Sequence, residues 1–325
     1  SSLLFLSFIF PTKKLTWLLN LWINYSTDTW KRLNRIRPLG QSLDFEFIHE
    51  NKCKRAVLLF HGMTGSPFEM KKMGKALYDA DFDVYCYCLP GHGTSPINIK
   101  NVRWEDWYSD STLHYRELTQ KYDEVYLGGL CMGAVLALAI ASEYREVRGI
   151  LSLSTTLFLD GWTIPWYNFL MPIGVHTILR YYYSFPEREP YGLKNETLRK
   201  KIAALQKRNT EALDNYPMSC IYELLKLSKY TQKNMFKVKA PILLMHARED
   251  DLTSTKSAEF VFKNIGSSIR KYIELENSYH LVVMDNERDF VFEKSIEFLN
   301  SLSDFGPVIE KQPPIDDTFM ESAGA

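Results

Sequence analysis

The chain has 325 residues, enough for one large α/β domain with an insertion or for two domains, each with a sizeable core. Its 39 Lys and Arg balance 39 Asp and Glu, and no basic stripe follows a helix face, which argues against a nucleic-acid partner. Five cysteines, at 53, 86, 88, 131 and 220, form no C-x-x-C pair and leave one over, which argues against a disulfide framework or a zinc site and for a reducing, cytoplasmic compartment.

Residues 1–35 carry two apolar runs, Leu3-Leu-Phe-Leu-Ser-Phe-Ile-Phe10 and Leu15-Thr-Trp-Leu-Leu-Asn-Leu-Trp-Ile23, separated by Pro11, Lys13 and Lys14. Neither is long enough to span a bilayer. The lysines follow the first run where a secretory leader would place them before it. Two tryptophans with Lys31, Arg32, Arg35 and Arg37 would suit a helix lying in a membrane surface, or one packed on the protein itself.

The core, expected over 36–155 and 236–303, opens with an edge strand at 45–49 and a doubly buried strand, Arg55-Ala-Val-Leu-Leu-Phe60. His61-Gly-Met-Thr-Gly-Ser-Pro67 then forms a glycine-bearing loop that can aim a backbone N–H at a site above the sheet, and a helix follows over 70–80. A strand at 83–88 puts Cys86 and Cys88 on one face, and Leu89-Pro-Gly-His-Gly-Thr-Ser-Pro96 is dense in turn formers, with His92 a loop-packing residue. Trp104, Asp106 and Trp107 open a helix running toward Lys121.

The run from Val125 to Ala141 reads as strand, sharp turn and helix, with Gly129-Leu-Cys-Met-Gly133 at the turn. Glycines two before and two after the apex suit a strained strand-to-helix elbow, which presents the Cys131 side chain beside the first N–H groups of a helix. Those groups favour thiolate. After a strand at 147–153, residues 156–235 are aromatic-rich with no visible strand pattern, and read as a helical cap lining an apolar acyl cleft. A strand through Ala240-Pro-Ile-Leu-Leu-Met-His246 ends in Arg248-Glu-Asp-Asp251, and one at 270–275 ends in Glu276-Asn-Ser-Tyr-His280. A helix at 287–302 closes the core, His246 reads as a packed strand residue, and 304–325 is a polar tail with no assigned role.

Cys131, then Asp250, then His280 follow the chain order nucleophile, acid, base, each just past the carboxyl end of an expected strand. Asp251 competes with Asp250 for the acid. These motifs, with Leu59-Phe-His-Gly-Met-Thr-Gly-Ser-Pro67 and Pro90-Gly-His-Gly-Thr-Ser95, resemble the α/β-hydrolase superfamily across about 45–303, within its bacterial carboxylesterase and monoacylglycerol-lipase-like branch. The resemblance implies a doubly wound, mostly parallel sheet with a helical cap insertion. It also implies Cys131 as nucleophile, Asp250 as acid, His280 as base, and the Met63 and Met132 N–H groups as oxyanion hole. The departure is cysteine where the family usually carries serine.

A thiolate leaves a tetrahedral intermediate more readily than an alkyl alkoxide does, so plain esters would tend to revert while thioesters compete evenly. The expected function is therefore an acyl hydrolase acting through acyl-Cys131 on small-molecule apolar esters or thioesters. An acyltransferase using the same intermediate and a non-catalytic acyl-ligand binder are the alternatives. No metal or organic cofactor is implied, and oligomeric state stays open.

Overall fold

A computed structural model describes residues 43–50, 53–93, 99–165, 168, 171–206 and 215–302. The N-terminal segment 1–35 and the tail 304–325 lie outside the described residues, so the membrane-surface expectation is not addressed by them. Among the described residues, no helix is long and apolar enough to cross a membrane.

The centre is a seven-stranded sheet of β1 (Phe45–Phe47), β2 (Arg55–Phe60), β3 (Asp83–Cys86), β4 (Glu124–Leu130), β5 (Ile150–Leu153), β8 (Ile242–Ala247) and β9 (Arg270–Leu275), ordered β1-β3-β2-β4-β5-β8-β9. β1 pairs antiparallel with β3, and every other pairing is parallel. The central strands β4, β5 and β8 are unbroken apolar runs because helices cover both faces of the sheet. Chain order reverses around β2, which is flanked by β3 and β4, and a crevice therefore opens at the carboxyl ends of β2 and β4.

The helices of the core are α1 (Lys71–Tyr78), α2 (Trp104–Lys121), α3 (Met132–Glu143), α8 (Lys256–Asn264) and α9 (Arg288–Ser301). α3 is apolar all round, and residues Met132 to Ser142 are all buried. It has no solvent face because it lies against β4 and β5 on one side and α2 and α7 (Met218–Asn234) on the other. Its alanines permit those close approaches, while Val135, Leu136, Leu138 and Ile140 each contribute roughly 1.5–3 kcal/mol by burial.

Between β5 and β8 the chain forms short helices α4 (Met171–Gly174) and α5 (Leu179–Tyr182), then α6 (Glu196–Gln206) and the long α7. It also holds a strand pair absent from the sequence reading: β6 (Ser184–Pro186) runs antiparallel to β7 (Asn215–Pro217), with Phe185 opposite Tyr216. Each strand has three residues and ends on proline, too short for any alternation of apolar and polar residues to register.

Candidate active site

β4 ends at Leu130 and α3 begins at Met132, so a single residue, Cys131, makes the turn. It does so at φ 58° and ψ −119°, a conformation that costs a non-glycine residue about 1–3 kcal/mol. The flanking glycines are required by contact. A Cβ on Gly129 would sit 2.2 Å from the Gly133 carbonyl, and one on Gly133 would sit 2.3 Å from the Phe60 carbonyl oxygen. The Cys131 N–H donates to Leu153 O at 3.0 Å, tying the elbow to the neighbouring strand.

The loop after β9 carries His280. Its Nδ1 lies 2.8 Å from Asp250 Oδ2 and 3.0 Å from Oδ1, and the Asp250 carboxylate also accepts the N–H groups of Leu252 and Thr253 at 2.9 Å each. Between the two candidate acids, then, it is Asp250 that meets the ring. Asp251 instead accepts the His280 backbone N–H at 3.3 Å and the Gly192 N–H at 3.2 Å, bracing the loop from behind. Leu281 N–H returns a bond to Gly192 O at 2.8 Å. The far nitrogen of His280, Nε2, is buried and lacks a hydrogen bond of ordinary geometry; it is turned toward the Cys131 sulfur.

The charges of these groups are coupled. Burial pushes the Cys131 thiol up, but the charge of the nearby His280 ring, the Thr156 hydroxyl and the Met132 N–H together outweigh it and bring it below its ordinary value. Burial opposes a charged His280 as well, yet the Asp250 carboxylate and the Cys131 sulfur lift the imidazole well above its ordinary value. Asp250 is likewise held below the usual carboxylate range, because the His280 charge reverses the effect of burial. The two shifts run in opposite directions, and both favour a charged Cys131–His280 pair over a neutral one.

The loop after β2 supplies the third element. Gly62 packs so closely that a Cβ there would lie 3.4 Å from that of Cys131, and Gly65 N–H closes a turn onto Gly62 O at 3.2 Å. Met63 is buried at the cleft, and among the described residues its N–H has no backbone partner. The loop is anchored by Glu69, whose Oε2 accepts the Gly62 N–H at 3.1 Å. Burial raises that carboxyl to about 7.

Three further histidines, His61, His92 and His246, are fully buried and held by packing or hydrogen bonds. His61 Nε2 accepts the Leu89 N–H at 3.0 Å, and His92 packs against His61 and Trp107; burial lowers them to about 3 and about 4, so both are neutral. His246 is fully buried, with Nε2 bonded to Thr253 O at 3.0 Å.

Residues 51–287 match the family described as Serine aminopeptidase, S33. The chain belongs to this family. Among curated proteins, this S33 family member is 26% identical over 242 residues to the thermostable monoacylglycerol lipase of Bacillus sp. (strain H-257), covering 74% of this chain and 89% of that one. It is 24% identical over 249 residues to the carboxylesterase of Bacillus subtilis (strain 168), covering 76% and 93%. The α/β-hydrolase fold is shared with the crystal structure of Paleococcus ferrophilus monoacylglycerol lipase, at a TM-score of 0.67 and 19% identity over 81% of this chain and all of that one.

In this family member a cleft of about 1120 Å³ opens above Cys131 and His280. Its walls are mainly apolar, with Met63, Leu159, Ile164, Phe185, Met218 and Met284 among them, and they come from both the core loops and the segment between β5 and β8. The polar exceptions include Glu69 and the pair Tyr216–Glu187, in which the Tyr216 hydroxyl donates to Glu187 Oε1 at 3.1 Å.

Several residues at the site carry no signal of their own in sequence. Glu69 reads as an ordinary helix-start acid, and Thr156 and Ser154 read as the polar end of a strand. A Ser-Thr-Thr run directly after an apolar strand that neighbours the elbow is the one feature that could have flagged them. Away from the cleft, His49, Cys53 and Asp83 bring donor atoms within 4.8 Å of one another, a grouping that spacing alone does not reveal. They bond internally: Asp83 Oδ1 accepts both the N–H and Nδ1 of His49, and Cys53 Sγ donates to Arg55 O and Asp81 O.

Proposed function

We propose that the protein is an acyl hydrolase working through an acyl-Cys131 intermediate on esters or thioesters of apolar acids. The observation that carries this reading is His280, held by Asp250 at 2.8 Å with Nε2 turned to a cysteine on a positive-φ elbow. The lipase and carboxylesterase names of the relatives support the hydrolytic class, and the apolar cleft supports an acyl chain.

In this mechanism the proton of the Cys131 thiol already resides on His280. The thiolate attacks the acyl carbonyl carbon, and the charge passing to oxygen is met by the N–H groups of Met63 and Met132. On collapse, the bond to the leaving group breaks and His280 gives it the proton. His280 then takes a proton from water, whose oxygen attacks the thioester carbonyl; the acid departs and the thiolate is restored. Asp250 stabilises the imidazolium throughout and does not itself take the proton.

Because the sulfur is stabilised as thiolate, it is a good leaving group in its own right. An alkoxide must be protonated early to compete, whereas a thiolate leaving group competes evenly, which favours thioester or activated-ester substrates. The test is intact-protein mass spectrometry with p-nitrophenyl esters and acyl-CoA thioesters, following chromophore or thiol release in the same samples. An adduct at Cys131 with multiple turnovers in water is expected. An adduct that persists until an alcohol or amine is added would replace hydrolysis by acyl transfer, and no adduct with any substrate would overturn the reading.

A further inference from the structure

The bend that follows β5 touches both members of the reactive pair. The Thr156 hydroxyl donates to Cys131 Sγ at 3.3 Å, and the Ser154 hydroxyl donates to the backbone carbonyl of His280 at 2.7 Å. Ser154 makes these reaches compatible by adopting φ 45°, a strained value for a residue with a side chain. Both residues are buried, and neither is among those that line the cleft.

The Thr156 hydrogen has two acceptors. Besides Sγ, Oγ1 lies 3.1 Å from Ser154 O. A hydroxyl carries one hydrogen, so it can serve only one of them fully at a time. A charged sulfur draws it strongly, because hydrogen bonds to ions are about twice as strong as neutral ones. A thioester sulfur is a poor acceptor and releases it to the Ser154 carbonyl.

The geometry points to Thr156 as a further catalytic residue, a hydroxyl donor that holds Cys131 as thiolate and turns to Ser154 O when the sulfur is acylated, with Ser154 positioning His280. This rests on the reading of Cys131 as nucleophile. Its consequence is a sulfur that leaves the acyl-enzyme more easily, which speeds the second half of the reaction and sharpens the preference for thioester donors.

The test titrates the sulfur directly, without substrate. The rate of Cys131 alkylation by iodoacetamide is measured against pH by peptide mass spectrometry in the wild type, Thr156→Val and Thr156→Ser, with Cys53 in the same samples as internal reference. Thr156→Val is expected to raise the midpoint by about one unit, which slows alkylation below the midpoint by roughly threefold and raises the alkaline plateau by roughly threefold, since thiolate reactivity rises with basicity. Thr156→Ser, which keeps the hydroxyl, is expected to follow the wild type. An unmoved midpoint in Thr156→Val overturns the inference, as does a Thr156→Ser midpoint shifted as far as that of valine, which would assign the residue to packing. Should the valine variant not fold, Thr156→Ala against Thr156→Ser makes the same comparison. Retained activity in Cys131→Ala would instead sink the nucleophile reading, a separate outcome read in a separate assay.

Discussion

Glu69 Oε2 accepts the N–H of Gly62, the residue packed directly against Cys131, so a carboxyl on the short turn just before α1 holds the loop beside the reactive sulfur. A glutamine at 69 keeps an acceptor for that N–H, and an alanine does not. Glu69→Ala is expected to lower kcat/KM by roughly tenfold or more through loss of loop geometry, and Glu69→Gln by much less. Equal losses in the two would show that the charge, not the hydrogen bond, matters.

Glu69 also gives stability a pH dependence. Its folded-state carboxyl keeps a proton up to about 7 against an ordinary 4.5, so the native state binds more protons between those values and stability falls as pH rises through that window. With allowance for its partial exposure the effect is of order 2 kcal/mol. Urea unfolding at pH 5 and pH 8 should show Glu69→Gln losing this decline, and an unchanged slope would contradict it.

Cys131→Ala should abolish turnover and adduct formation while unfolding within about 1 kcal/mol of the wild type, because the backbone strain at the elbow is the same for both residues. Cys131→Ser should shift the ratio of ester to thioester hydrolysis toward esters by roughly tenfold or more, since an oxygen nucleophile no longer outcompetes the alkoxide as leaving group. An unchanged ratio would remove the sulfur from the account of substrate preference.

His280→Ala is expected to cost roughly 10²–10⁴ in kcat. His92→Ala, which removes a ring packed between His61 and Trp107, should act on stability, by about 1–3 kcal/mol, with little change in kcat of the folded fraction. Comparable losses of kcat in the two would mean that the base is misassigned.

The pH profile of kcat/KM follows from the pair. Cys131 lies below its ordinary value, so the acid limb should fall below that of an ordinary thiol; His280 lies above its ordinary value, so the alkaline limb should appear where the imidazolium finally loses its proton. Activity is present between those limits and lost on both sides. A single rise centred near the ordinary thiol value would show an unpaired thiol.

What the sequence made legible was whatever depends on excluded volume and order. Gly129 and Gly133 could be read as an elbow because backbone lies within 2.3 Å of where their Cβ atoms would be, and the strands β2, β4, β5 and β8 could be read because burial on both faces leaves apolar runs. Asp250 could be favoured over Asp251 only by its spacing of four from His246 at the strand end, since neighbours on a turn differ in direction, and direction is set by the N–H groups of Leu252, Thr253 and Gly192 that each one meets. Glu69 left no trace, and Thr156 no more than its place in a Ser-Thr-Thr run, because their roles arise from pairings across 7 and 25 positions that no local pattern encodes.

Gly192 links two structures that perform different tasks. Its N–H is held by Asp251, its carbonyl by the Leu281 N–H, and its φ of 70° with a wall of Leu281 behind it admits no ordinary side chain. The segment that walls the cleft at this point is thus stitched, through one residue, to the loop that carries the base. Widening the cleft along this edge would strain the same contacts that set the aim of the imidazole, so the width of the doorway and the alignment of the proton carrier act as one mechanical variable.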